Sequence, residues 1–348
     1  MATFVNDAAQ TRFGLGSLLP ELRLPSPCQP VVRAVRSTPE YTRIHDKEFE
    51  TMKMRKTVIS LSMLLATQGL AMVTTASAAT SAPAAAVTQR HAEPITIRNV
   101  VIGQGAPKII VPTTGSTADD VLAQARAIGS NPDVDIIEYR VDYLDFDTDA
   151  TRVAGLGKQV AAVANGKPLI LTFRTKAEGG AKAISDKQYG DLYLALIKAH
   201  FIDILDVEMF RDPGVVREVV AAAHAAGIKV VMSSHDFKKT PSTDEIISRL
   251  RKQDKMGADI LKIAVMPHNA ADVLKLLDAT EQIRDHYSRK PLLTMSMGGL
   301  GAVSRFSGEV FGSDLTFGMI GQASAPGQVD AKSLRQVLNT IDTAVSGK

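Results

Sequence analysis

Residues 258–267 read ADILKIAVMP, a short apolar run with one lysine, Lys262, near its middle and a proline at its end. A run this short, with no polar stripe at helical spacing, reads as a buried strand, DILKIAV (259–265). Seven more runs of the same kind lie along the chain: KIIV (108–111), VDIIEYRV (134–141), PLILTFR (168–174), IDILDVEM (202–209), IKVVMSSH (228–235), PLLTMSM (291–297) and LTFGMI (315–320). Between them lie amphipathic stretches such as ADDVLAQARAIG, DPGVVREVVAAAHAAG and NAADVLKLLDATEQIRDHY, several opened by Asp, Ser or Asn or ended by Gly, as helices are. Eight strands alternating with eight helical segments predict an α/β fold, a single-domain (β/α)8 TIM barrel over residues 95–348. A doubly wound open sheet is the other arrangement of the same units.

The chain ahead of this domain reads differently. From Met52 it runs MKMRKTVISLSMLLATQGLAMVTTASAATSAPAAA: a basic start at Lys53, Arg55 and Lys56, an apolar run from Val58 to Val73, then Ala76-Ser77-Ala78 as small cleavage-site residues. This is the build of a secretory signal peptide over 52–78. A membrane anchor is disfavoured: the run is interrupted by Ser60, Ser62, Thr67, Gln68 and Gly69 and falls short of the ~20 apolar residues that span a bilayer. Residues 1–51 read as a disordered leader or a start assigned too early, and 79–94 as a linker. The expectation is a periplasmic or secreted protein with no stable membrane span, cytoplasmic if the signal is unused.

Of the 40 basic and 37 acidic residues, nine and six lie in the first eighty, so the remainder carries 31 of each. A domain without net charge is a poor partner for nucleic acid. The single cysteine, Cys28, lies in the leader, leaving the domain neither a disulfide nor a thiol nucleophile.

Catalytic groups of a barrel sit at the C-terminal ends of its strands, and polar residues collect there. Glu138 and Arg140 end the second strand, Arg174 the third, Glu208 the fourth and His235 the fifth; Lys262 lies late in the sixth, and Met295 and Met297 finish the seventh. A lysine in a strand ordinarily points to a solvated face or a sheet edge, but a closed barrel has neither. An inward lysine is a buried amine, and burial together with cationic neighbours favours its neutral form. A neutral amine attacks a carbonyl, and the protonated imine so formed acidifies the adjacent carbon. An inward Lys262 is expected to meet His235 on the neighbouring strand, and that histidine is the natural proton carrier. Glu178, in the loop TKAEGG, is placed to orient it. Arg140, Arg174 and Arg305 converge from different strands as planar forks suited to a carboxylate or phosphate, and Glu138 suits substrate hydroxyls or one of the arginines. Each arginine taken singly also fits a surface ion pair.

EYRVD, LTFRTKAEGG, DVEMF, MSSHDFKKTPS, DILKIAVMP, TMSMGGLGAVSRFSGEVFGS and SAPGQ, in this order, resemble the type I 3-dehydroquinate dehydratase family across nearly all of residues 95–345. The resemblance implies a metal-free, cofactor-free homodimeric barrel acting on a small cyclic hydroxy-carboxylate, which turns 3-dehydroquinate into 3-dehydroshikimate through an imine. It assigns the imine to Lys262, general acid/base work to His235 with Glu178 assisting, and substrate binding to Glu138, Arg140, Arg174 and Arg305. Ser324 and Gln328 then belong to a loop closing over the substrate, and Met295 and Met297 to an apolar wall. Two positions depart from the family pattern: Pro112 stands where a serine often lies, and Ser234 where an asparagine does. Export is the larger departure and suits the breakdown of quinate and shikimate taken from outside. Two other readings share these residues: a class I aldolase acting on a phosphorylated sugar, and a periplasmic binding protein that kept the pocket without activity.

Overall fold

A computed structural model describes residues 91–347. The expected leader, signal peptide and all but the last residues of the linker lie outside the described residues. Among the described residues no helix is long and apolar enough to cross a membrane.

The eight expected strands form, each within about two residues of its reading. They are β3 (Lys108–Pro112), β4 (Ile136–Arg140), β5 (Leu169–Thr172), β6 (Ile204–Glu208), β7 (Lys229–Asp236), β8 (Ile260–Val265), β9 (Leu292–Ser296) and β10 (Leu315–Met319). Between them come α1 (Ala118–Ser130), α2 (Ala150–Val163), α3 (Asp186–Ile197), α4 (Pro213–Ala225), α5 (Thr243–Lys255) and α6 (Ala270–Gln282). The short α7 (Ala302–Phe306) and α8 (Gly308–Phe311) follow β9, and a two-residue β11 (Val329–Asp330) leads into α9 (Ala331–Ser346). Helix starts are set locally: Thr117, Asp149, Ser185, Asp212, Ser242, Asn269 and Asp330 each accept a backbone N–H of the first turn. Such a cap is worth ~1 kcal/mol.

The strands are all parallel, in the order β10-β3-β4-β5-β6-β7-β8-β9, so the last pairs with the first and the sheet is barrel-like. At the remaining seam, β9 and β10 are bridged without a ladder: Asp314 N–H donates to Leu292 O at 2.8 Å and Thr294 N–H to Ser313 Oγ at 3.1 Å. Besides the two-residue β11, a hairpin is absent from the sequence pattern. An antiparallel hairpin, β1 (Ile95–Ile97) and β2 (Val100–Ile102), packs Ile97, Val100 and Ile102 with Ile136, Ile170, Ile204 and Ile260, an apolar floor inside the sheet. Two three-residue strands around a turn are too short to show a period.

The same device sets the register four times. Asp135, Asp203, Asp259 and Asp314 each stand one residue ahead of β4, β6, β8 and β10. Each side chain accepts the N–H of Ile109, Leu169, Val230 or Leu292 in the strand before, at 2.7–2.8 Å. Each Asp N–H donates to the carbonyl of that same residue, and each carboxylate also meets a cation: Arg335, Arg98, Lys229 or Arg284. Three residues on from each aspartate stand Glu138, Asp206, Lys262 and Phe317. Alternate strands thus contribute one inner layer of four side chains, as barrel packing requires, and Lys262 shares it with two carboxylates.

Candidate active site

Above the apolar floor the inward residues turn polar toward the strands' C-terminal ends. On β6 the inner face reads Ile204, Asp206, Glu208; on β7 Val231, Ser233, His235; on β8 Ile260, Lys262, Ala264. These ends and the loops beyond them bound a cleft of about 470 Å³. All nine residues predicted for the site line it: Glu138, Arg140, Arg174, Glu178, His235, Lys262, Arg305, Ser324 and Gln328. Met295 and Met297 are also in its wall.

The contacts correct two expectations. Lys262 is buried, but its resting partner is a carboxylate rather than the imidazole: Nζ donates to Asp206 Oδ2 at 2.7 Å, with the Phe317 ring 4.9 Å away. In the ladder Lys262 faces Ser233, and His235 faces Ala264 one pleat further out. A charge taken out of water needs a counter-charge, and here the same layer supplies it. Nor are the three arginines equivalent forks. Arg140 is closed bidentately on Asp142, Nε to Oδ1 and Nη2 to Oδ2, both at 2.8 Å. Arg174 lies 2.8 Å from Asp206 and 2.9 Å from Glu208.

Arg305 differs. It is 1% exposed, yet Nη2 donates to Pro326 O at 3.0 Å and Nη1 only grazes Phe317 O at 3.5 Å and Met295 Sδ at 3.8 Å, while Nε has no hydrogen-bond partner. Among the described residues no carboxylate pairs with it. Burial brings its guanidinium down to about 10. A buried cation facing a cleft without a counter-ion is a receptor for an anion.

The remaining site residues are held by their neighbours. Glu138 accepts from Thr172 Oγ1 at 2.8 Å. Gln328 locks the loop 324–328 by accepting Ser324 N–H at 2.7 Å and donating to Ser324 Oγ at 3.0 Å. Glu178 ends a single 3-10 turn whose next residue, Gly179, has φ +84°; a Cβ there would lie 2.2 Å from the Phe237 ring, which stacks on His235. The sequence alone assigns no role to the acids Asp142, Asp206 and Glu208. The pattern IDILDVEM does carry the signal, because Asp206 and Glu208 are two apart and so share the face of the inner layer.

The type I 3-dehydroquinase family matches residues 109–344. The chain belongs to that family. It is 49% identical over 247 residues to the 3-dehydroquinate dehydratase of Syntrophotalea carbinolica, covering 71% of this chain and 97% of that protein. It is 48% identical to the catabolic 3-dehydroquinate dehydratase of Acinetobacter baylyi, over 70% of this chain and 90% of that one. The solved type I enzyme of Clostridium difficile, with covalently modified comenic acid, superposes with a TM-score of 0.70 at 41% identity, covering 73% of this chain and 99% of that one.

In this member of the type I 3-dehydroquinases the partly buried His235 and the buried Glu178 meet Nδ1 to Oε2 at 2.8 Å, close enough to share one proton. Burial, Arg174 and Lys262 keep the imidazole well below its usual value. Burial pushes the Glu178 carboxyl up to about 8, against the pull of Arg174 and with the help of Glu208 and Asp206. From about pH 4.3 to 6.5 the unfolded chain carries this proton on His235 and the folded chain on Glu178, so the pair adds no slope to stability. Above about 6.5 the unfolded chain has released its proton while the folded pair keeps it to about 8. Folding then binds the extra proton, so stability falls as pH rises, by up to ~1.4 kcal/mol per pH unit. Glu178→Gln leaves His235 alone, whose contribution is lost only as pH falls below ~6.5. Urea unfolding between pH 6.5 and 8 should therefore show the unsubstituted chain losing ~2 kcal/mol relative to Glu178→Gln; parallel pH profiles would contradict the shared proton.

Proposed function

We propose that the chain removes water from 3-dehydroquinate to give 3-dehydroshikimate, through an imine on Lys262. The observation that carries this reading is the pairing of opposites in one cleft: a buried amine and a buried, carboxylate-free Arg305, with the His235–Glu178 pair beside them. The sheet is read as a complete (β/α)8 barrel whose mouth is this cleft.

Arg305 takes the substrate carboxylate, replacing a missing counter-ion. Glu138 and Arg140 orient ring hydroxyls, and Arg174 serves mainly by steadying the acids around it. Lys262 condenses with the ring ketone, releasing one water. His235 takes a proton from the carbon next to the imine, and the electron pair passes through the enamine to expel the hydroxyl on the following carbon. That hydroxyl leaves as a second water, with the proton His235 carries. Hydrolysis consumes one water and returns the amine and the enone, a net loss of one water. The protonated imine is the electron sink, so no cofactor enters the scheme. Ser324 and Gln328 belong to a loop over the substrate, and Met295 and Met297 form an apolar wall for the ring.

Two further readings accompany this one. The signal-peptide pattern at 52–78 supports export, and with it a role in breaking down quinate or shikimate; the catabolic label of the Acinetobacter relative points the same way. A second copy of the chain is the partner suited to the exposed Leu274, Leu300 and Val303, on α6, ahead of α7 and within it.

Borohydride added with dehydroquinate should leave a reduced adduct on Lys262, located by peptide mass, and Lys262→Met should lower kcat at least about 10³-fold; brisk turnover with an unmodified lysine refutes the imine. Sequencing of the exported protein should start near Ala79, whereas an intact Met1 in the cytoplasm overturns export. Sedimentation should give twice the chain mass, and Val303→Glu should halve it; a monomer in the unsubstituted chain removes the dimer.

A further inference from the structure

Asp206 is a buried acid of the inner layer and is not among the residues lining the cleft. It is 1% exposed and meets two hydrogen-bond donors and one further cation. Lys262 Nζ reaches Oδ2 at 2.7 Å, while Ser233 Oγ at 2.6 Å and Arg174 Nη2 at 2.8 Å both meet Oδ1. Burial would raise this carboxyl, but Arg174, Lys262 and His235 outweigh it and hold the group well below the usual carboxylate range. With Oδ1 fixed by Ser233 and Arg174, the plane of the carboxylate is set and Oδ2 is aimed at one atom, the nitrogen of Lys262.

We propose that Asp206 is a positioning residue: the single N–H left on the iminium keeps its bond to Oδ2, which holds the proton on nitrogen and fixes the rotation of the C=N bond toward His235. The proposal rests on the imine chemistry given above. Counted from the ammonium form, Lys262 gives up one proton to attack the ketone as a neutral amine, the C=N bond forms, the ketone oxygen leaves as water with two of the three ammonium protons, and the iminium nitrogen carries the same unit positive charge as before. The carboxylate therefore faces one cation before and after, and its buried charge stays compensated. The nitrogen goes from three N–H bonds to one, so only one acceptor can be kept.

The other charged groups around this nitrogen are engaged elsewhere. Glu138 of β4 accepts from Thr172, Glu208 of β6 from Arg174 and Thr175, and Glu178 faces His235. Arg305 and the paired Arg140 are cations and accept nothing. A neutral imine is a poor electron sink, so loss of the proton stops elimination. Misrotation of C=N turns the reacting C–H away from His235, and small misplacements of this kind cost ~10²-fold.

The test compares Asp206→Asn and Ser233→Ala in the full chain, by kcat, KM and the yield of borohydride adduct on Lys262 from about pH 6 to 9. Asp206→Asn is expected to keep KM within about threefold, to lower kcat about 10²-fold, and to move the pH above which adduct yield declines down by at least about one unit. Ser233→Ala, which keeps the carboxylate but loosens Oδ1, is expected to lower kcat about three- to tenfold with that pH limit in place. Asp206→Asn with kcat within threefold of the unsubstituted chain, or with reduced kcat and an unmoved pH limit, overturns the proposal. If Asp206→Asn does not fold, Ser233→Ala decides, and an unchanged kcat there overturns it equally. Absence of any adduct on Lys262 in the unsubstituted chain is a separate failure, that of the imine itself.

Discussion

The site depends on a 2.7 Å contact between two groups that each resist burial, the amine of Lys262 and the carboxylate of Asp206. Either alone inside the sheet would give up its charge or leave for water. Together they are affordable, but only because Ser233 and Arg174 fill the other side of the carboxylate. Arg174 is in turn balanced by Glu208, whose second oxygen takes Thr175 Oγ1 at 2.7 Å. The polar layer is thus one connected network, and removing one member strands its neighbour without a partner.

That network requires neighbouring strands to stand at one fixed height, since a slip of one residue would turn every inner side chain outward. The four aspartates at the strand starts meet this requirement far from the chemistry. Each pins the first residue of its strand to the preceding strand by two hydrogen bonds, one through its side chain and one through its backbone. Lys262 and Asp206 both stand three residues beyond such a pin, which is why they meet. The hairpin beneath fills the floor with Ile97, Val100 and Ile102, so the charged layer rests on a dry base where electrostatic contacts are strong.

The strands were legible because each is an apolar run bounded by turn residues, and the polar strand ends were legible because a barrel has a chemical end. Lys262 stood out as a lone ammonium in such a run. Its company did not. Sequence spacing says that Lys262 faces inward, but not which of seven other strands supplies its partner, and Asp206 lies 56 residues away. The arginines show the same limit: Arg140, Arg174 and Arg305 look alike as letters, and only the packed structure reveals that two already have carboxylates. Asp142, which closes Arg140, sits two residues beyond it, past the end of the strand, where alternation no longer tells direction.

On the proposed reading, Arg305 gives the arrangement its selectivity. Every other buried cation around the cleft has its anion within the chain, so a ligand gains little by approaching them. Arg305 has carbonyl and sulfur contacts only, and burial has already weakened its hold on its own proton. An incoming carboxylate relieves that cost without displacing an internal partner, so binding energy concentrates at one end of the substrate. Lys262 lines the same cleft, so on the proposed reading a ring bearing both a carboxylate and a ketone is anchored by the first and presents the second to the amine. A ketone lacking the carboxylate gains no such anchor, and an acid lacking the ketone finds nothing for Lys262 to attack. On the proposed reading, recognition and reaction therefore fall to different residues of one cleft, Arg305 for the first and Lys262 with His235 for the second.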